Sequence, residues 1–243
     1  MAAHPTPPEV ERRRPFLTAR WSNIITLTFP VPPRLVASRL PPGVEPDLRG
    51  GAAHVSLAAF DFLDTRIRGR RIPGFVNFPE VNLRAYARQG ERRGIVLLSE
   101  LVPSRIAAAI ARLRFNEPFR STPMESRTAG IGSDLVVEHR WRWEDRRFHV
   151  RVTASQGSEL PLQGGIEEYV LGRWWAFGRT RTGNPRAVRV QHPVWSLRRI
   201  KDVDYEIGFG ALYGPDWAEL DHTPPVAALL AVGSAVSVFP PGR

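Results

Sequence analysis

The segment Phe78-Pro-Glu-Val-Asn-Leu-Arg-Ala-Tyr86 restricts the fold more than any other part of the chain. From Glu80 to Tyr86 polar and apolar residues alternate strictly, and a period of two belongs to a β-strand with one buried face. Glu80, Asn82, Arg84 and Tyr86 fall on one face, and Val81, Leu83 and Ala85 on the other. The turn pair Pro73-Gly74 precedes the strand. A row holding an acid, an amide, a guanidinium and a phenol either faces bulk water or lines an internal cavity. The following run, Ile95-Val-Leu-Leu98, is apolar on both faces, as a covered central strand requires. A polar row beside a covered strand favours the cavity lining. The expectation is that Glu80, Asn82, Arg84 and Tyr86 face a pocket while Val81, Leu83 and Ala85 pack against helices.

With 42% apolar and 24% charged residues in 243, the chain can bury a core of ordinary size. The expected organisation is one domain over residues 16–243, preceded by a flexible arm over residues 1–15. That arm holds four prolines and Arg12-Arg13-Arg14, without the apolar stretch of a secretory signal. The longest apolar run, Val226–Phe239, is interrupted by Gly233, Ser234 and Ser237 and is too short to span a bilayer. A cytoplasmic location without membrane attachment is expected. The absence of cysteine excludes disulfides, thiolate nucleophiles and Cys-ligated metal. The net charge is +10, and every basic residue except Lys201 is arginine. Such a field attracts nucleic acid without reading it. No RRM signature, zinc finger or helix-turn-helix accompanies it, so only weak, salt-sensitive association is expected. A homo-oligomer is compatible with all of this.

Further strands are expected over residues 20–31 and 52–62. They are also expected in a hairpin pairing 135–143 with 148–152 around the turn 144–147, and in short segments at 187–191, 194–200, 205–209 and 229–239. Short helices are expected over 34–40, from Ser104 with Ile106, Ala109, Ile110 and Leu113 buried, and over 166–177 with Ile166, Tyr169, Val170, Trp174 and Phe177 as its stripe. Gly157-Ser158 and Gly164-Gly165 read as turns. Many antiparallel strands with a few buried helices make an α+β, mainly antiparallel β domain with a curled sheet.

No nucleophile elbow, Walker loop or dinucleotide fingerprint is present. None of the six histidines shows metal-ligand spacing, and His139, on an apolar strand face, reads as a core residue with a hydrogen-bond partner. No metal and no cofactor is expected.

Asp47-Leu-Arg-Gly50, Ala58-Ala-Phe60, Arg66-Ile-Arg-Gly69, Ile72-Pro-Gly74, Phe78–Tyr86 and Gly165-Ile-Glu-Glu-Tyr169 occur in an order that resembles the DUF2071 (YqjF-like) family, from about residue 15 to 239. That family is similar in fold to acetoacetate decarboxylase, which implies a curled antiparallel sheet closing into a cone-like barrel with flanking helices. Acetoacetate decarboxylase is a standard case of a Schiff-base lysine with a depressed pKa. In those enzymes the lysine follows a proline, and the matching place holds Pro118-Phe119, so the resemblance implies a pocket without the catalytic amine. Arginine cannot substitute, because a guanidinium stays protonated. Lys201, in Arg198-Arg-Ile-Lys-Asp202, reads as a solvated turn residue.

The resemblance makes Glu80 the counterpart of a pocket glutamate. The expected ligand-contacting set is Arg66 at the rim, Glu80, Asn82, Arg84, Tyr86 and Phe119. The expected ligand is small and anionic or carbonyl-bearing, since a guanidinium in a partly dry cavity suits a carboxylate. Two alternatives stand beside a binding protein. One is an enzyme of another reaction type, lyase or hydrolase-like, with Glu80 as general acid or base. The other is a basic interaction protein whose pocket is vestigial.

Overall fold

The computed structural model describes residues 13–106, 108, 109, 116 and 118–241. Most of the expected arm, residues 1–12, lies outside the described residues, as do Ile110 and Leu113.

Among the described residues thirteen strands join in one sheet. The first half contributes β1 (Leu17–Val31), β2 (Glu45–Pro46), β3 (Ala53–Ile67), β4 (Phe78–Gln89), β5 (Arg92–Val102), β6 (Phe119–Ser121) and β7 (Met124–Ile131). The second half contributes β8 (Asp134–Trp143), β9 (Arg146–Glu159), β10 (Trp175–Arg179), β11 (Pro185–Gln191), β12 (Leu197–Glu206) and β13 (Ala227–Val238). Pairing runs β1-β3-β4-β5-β10-β11-β13, and β13 pairs back onto β1, so these strands form a closed ring. The strands β12-β9-β8-β7 extend from β13 as an open flank. All pairings are antiparallel except β5–β10 and β5–β6. Gly94 permits the β5–β10 closure, because a Cβ there would collide with the carbonyl of Trp175.

The sheet separates two cores. Val81, Leu83 and Ala85 belong to the larger one, together with Val36, Phe209, Leu212, Trp217 and Leu220 from the helical segments. Those segments are the helices Pro33–Ala37 and Phe209–Tyr213 and the 3-10 helix Pro215–Asp221. The apolar half of the alternation therefore packs against helices, as expected. The other face belongs to an aromatic core inside the ring.

Several local expectations change. The helix from Gly165 ends at Leu171, and Trp175–Arg179 is strand β10. Apolar residues at 174 and 177 fit helix and strand alike, and pairing to Gly94, Ile95 and Val96 decides for the strand. The hairpin turn is tighter than 144–147, because Trp143 pairs with Arg146. Segments expected as separate near 200 and 205 are one strand, β12, so Lys201 lies in a strand and not a turn, with its ammonium on Asp134. Gly157 and Ser158 continue β9. Strand β7 had no signal, since as the last strand of the flank it is polar and exposed on both faces. Ile106, expected in a buried stripe, is exposed. His139 is fully buried, yet neither ring nitrogen has a protein partner, contrary to expectation.

Candidate functional site

The ring encloses a cavity of about 440 Å³. Residues from β1, β3, β4, β5, β6, β10, β11 and β13 line it, so the whole ring contributes. Its wall is aromatic. Trp21 packs against Phe60, Phe62 and Trp195 at 5.0, 5.5 and 5.9 Å, and Phe78 stacks on Phe62 and Phe75 at 4.7 and 4.4 Å.

Four buried polar side chains of the lining cluster on β4 and β5, and Arg68, Arg173, Arg186 and His192 add charge and polarity elsewhere in the wall. Glu80, Asn82 and Arg84 project from β4 and Glu100 from β5, and all are at least nine-tenths buried. Asn82 Nδ2 donates to Glu80 Oε1 at 2.9 Å, which leaves Asn82 Oδ1 without a protein partner. Arg84 Nη2 donates to Thr26 Oγ1 at 3.5 Å, a long contact, and its Nε has no partner. His192 also lines the cavity, stacked on Trp195 at 4.0 Å. Its nitrogens lie 2.8 and 3.1 Å from the carbonyls of Pro193 and Arg173. Burial lowers its pKa, those carbonyls oppose the shift and the Arg84 charge adds to it.

Glu100 reaches this lining through a backbone irregularity. Leu83 pairs with Ser99 and Arg84 with Leu97, so Leu98 is an extra residue on β5. Such a bulge reverses the side-chain alternation beyond it. Ile95, Leu97 and Glu100 therefore share the cavity face, with Glu100 opposite Asn82.

Three expected residues need separate placement. Tyr86 is on the expected face but is not part of the lining. Its hydroxyl is 2.5 Å from Ser56 Oγ, which is 2.8 Å from Thr28 Oγ1, and its ring packs 4.9 Å from Tyr169. Arg66 is half-exposed and paired with Asp64 at 3.4 Å; Arg68 lines the cavity instead, its guanidinium 5.9 Å from the Phe16 ring centre. Phe119 does line it, opposite Glu100 in the β5–β6 pairing. No lysine is among the lining residues.

Glu100, Arg173 and His192 escaped sequence reading. The only signal for Glu100 was an acid inside an apolar run. Arg173 lines the cavity while its Nη1 donates to Asp47, so its position depends on a contact across the chain. Among the described residues no group of three or more His, Asp or Glu side chains is placed to hold a metal. None of the described helices is long and apolar enough to cross a membrane.

A family profile described as an uncharacterized conserved protein, DUF2071, matches residues 18–235. The chain belongs to the DUF2071 family. This DUF2071 chain is 30% identical over 123 residues to the uncharacterized protein YqjF of Bacillus subtilis, and the match spans about half of either protein. In fold it is similar to the enduracididine biosynthesis enzyme MppR with HEPES bound, at 16% identity and a TM-score of 0.62, covering 96% of this chain and 89% of that one. It is also similar to an acetoacetate decarboxylase-like enzyme from Sphingomonas wittichii, at 14% identity and a TM-score of 0.61, covering 98% of each chain. The acetoacetate decarboxylase of Legionella pneumophila aligns at 12% identity and a TM-score of 0.58, covering 97% and 91%. At these identities the likeness concerns the fold, a curled sheet with flanking helices, and leaves chemistry to the residues.

Proposed function

We propose that this DUF2071 chain binds a small carboxylate or carbonyl compound with an apolar body in the ring cavity. The observation that carries the reading is Arg84, a buried guanidinium with an unpartnered Nε among aromatic walls. An oxyanion or carbonyl oxygen would supply the missing acceptor, and the low local dielectric would strengthen that contact. The aromatic wall would take the apolar body, and Asn82 Oδ1 would accept a hydroxyl or amide proton. The cavity volume is within the usual range for small-molecule sites. MppR, similar in fold, has been solved complexed with pyruvate, an oxo acid of this class.

Phe119 at the place of the Schiff-base lysine argues against amine catalysis. Catalysis of another kind is a second reading, favoured by Glu80 and Glu100 on adjacent strands facing one cavity. Such a pair can serve as general acid and base.

The test is mass spectrometry of compounds co-purifying with the native protein, followed by titration calorimetry with each. Arg84→Ala is expected to weaken binding about tenfold or more, the scale of a hydrogen bond to a charged group. Wild-type affinity in folded Arg84→Ala would refute the reading. Turnover of the bound compound, abolished by Glu80→Gln or Glu100→Gln, would favour the enzyme over the binder.

A further inference from the structure

The sheet has a second cavity on its other face, about 280 Å³ in volume, between β5, β6 and the helical segments around residues 39 and 213–217. It differs in kind from the aromatic chamber. Ser99 is almost fully buried, and its hydroxyl has no protein partner. The buried Tyr213 hydroxyl has none either. Buried hydroxyls without partners are uncommon in folded proteins, and each such group points to a missing acceptor or donor.

Two guanidiniums border the same space, Arg39 and Arg120. Both are held in place. Arg39 lies 5.0 Å from the Trp217 ring centre and pairs with Asp216 at 2.8 Å. Arg120 lies 5.2 Å from the Trp143 ring centre and donates from Nη1 to the carbonyl of Leu212 at 3.0 Å. Among the described residues no carboxylate pairs with Arg120. The cavity lining contains no acidic side chain. Its charge balance is therefore one positive charge in excess, since Asp216 offsets Arg39.

The β5 bulge and the β5–β6 pairing create this arrangement. With Leu98 as the extra residue, Ser99 turns to the face opposite Glu100. In β6, Phe119 faces the ring cavity while its neighbour Arg120 faces the second one. Burial raises the Tyr213 pKa, and the nearby Arg120 charge opposes this without reversing it. The phenol therefore stays protonated and keeps a hydrogen to donate.

We infer that this second cavity is a binding site for a small carboxylate, held by Arg120 with the hydroxyls of Ser99 and Tyr213 as further donors. One excess positive charge matches one carboxylate charge, and a guanidinium fork matches two carboxylate oxygens. Leu83, Leu98 and Trp217 leave room for a short apolar tail. Leu97 borders both this site and the ring cavity, but the two share no polar lining residue, so the site stands whether or not the ring cavity binds a ligand.

The test is ligand-observed NMR with acetate, and separately with inorganic phosphate, on the full chain. Saturable acetate binding is expected. Arg120→Ala should weaken it about tenfold or more. Tyr213→Phe and Ser99→Ala, which remove one oxygen each, should weaken it several-fold without lowering the melting temperature, since neither hydroxyl has a protein partner. If Arg120→Ala fails to fold, Tyr213→Phe and Ser99→Ala decide. Absence of saturable binding, or wild-type affinity in folded variants of Arg120, Ser99 and Tyr213, would overturn the inference. Acetate binding that depends on Arg84 and is untouched by Arg120→Ala, Ser99→Ala and Tyr213→Phe would assign the acetate to the ring cavity alone and overturn it too. Phosphate bound at these residues in place of acetate would overturn the carboxylate assignment.

Discussion

Asp47→Ala is expected to lower stability by about 3–5 kcal/mol, because it leaves a buried guanidinium without its counter-charge. Arg173 lies between the rings of Tyr86 and Tyr169, its Cζ 4.8 and 4.3 Å from their centres. Its Nε donates to the Tyr169 carbonyl at 2.6 Å, and its Nη1 donates to Asp47 Oδ2. The Tyr169 hydroxyl donates to the Asp47 carbonyl at 2.7 Å, so the network also ties the helix Ile166–Leu171 to the segment before β3. A guanidinium cannot escape burial by losing its proton. Arg93, which also donates to Asp47 at 2.9 Å, is half-exposed and can turn to water when the carboxylate is gone.

Burial by itself would raise the Asp47 pKa, but Arg173 and Arg93 outweigh it and hold the carboxyl below its ordinary value. A lowered carboxylate pKa stabilises the fold above the unfolded-state value, and that stability is lost as pH falls through the folded value. Urea denaturation near neutral pH measures the effect. The double variant Asp47→Ala with Arg173→Met should lose less than the two single losses added together, because it removes the stranded charge. A loss under about 1 kcal/mol for Asp47→Ala would mean that the pair behaves as an exposed one.

His139 is expected to make the fold acid-sensitive. Burial alone lowers its pKa from 6.5 to about 4. The unfolded chain thus takes up a proton at pH values where the native chain does not, and stability falls as pH drops below 6.5 toward 4. From this group the loss between about pH 7.5 and pH 5 is about 2 kcal/mol. His54 and His192, whose pKa values burial also lowers, act in the same direction. His139→Leu should flatten the pH profile by that amount. It should also add about 1–3 kcal/mol at neutral pH, because both buried ring nitrogens lack protein partners. The measurement is urea denaturation of both proteins across this pH range. Parallel profiles would show that His139 titrates alike in the two states.

Backbone period and chain order made much of this molecule legible from sequence. A strict alternation over residues 80–85 can be satisfied only by a strand with two different faces, and each face met the environment its side chains require. The ordered motifs carried the family and, through it, the curled sheet. Pairing and packing decided what local pattern could not. Residues 174–179 carry apolar spacing compatible with helix or strand, and pairing with β11 on one side and β5 on the other made Trp175–Arg179 a strand.

The candidate site divides in the same way. Glu80, Asn82 and Arg84 were readable because their positions follow from the period of one strand. Tyr86 obeys the same period, but the Ser56 hydroxyl on the neighbouring strand engages its phenol away from the cavity. Glu100 faces the cavity because one extra residue in β5 reverses its alternation, and a bulge is set by the register with β4. The Asp47–Arg173 contact joins residues 126 positions apart. Ring closure likewise pairs Leu17 with Val238. Local sequence determined which side chains share a strand face, because that depends on neighbours in the chain. Which faces meet across the ring depended on long-range pairing, and only the tertiary structure decided it.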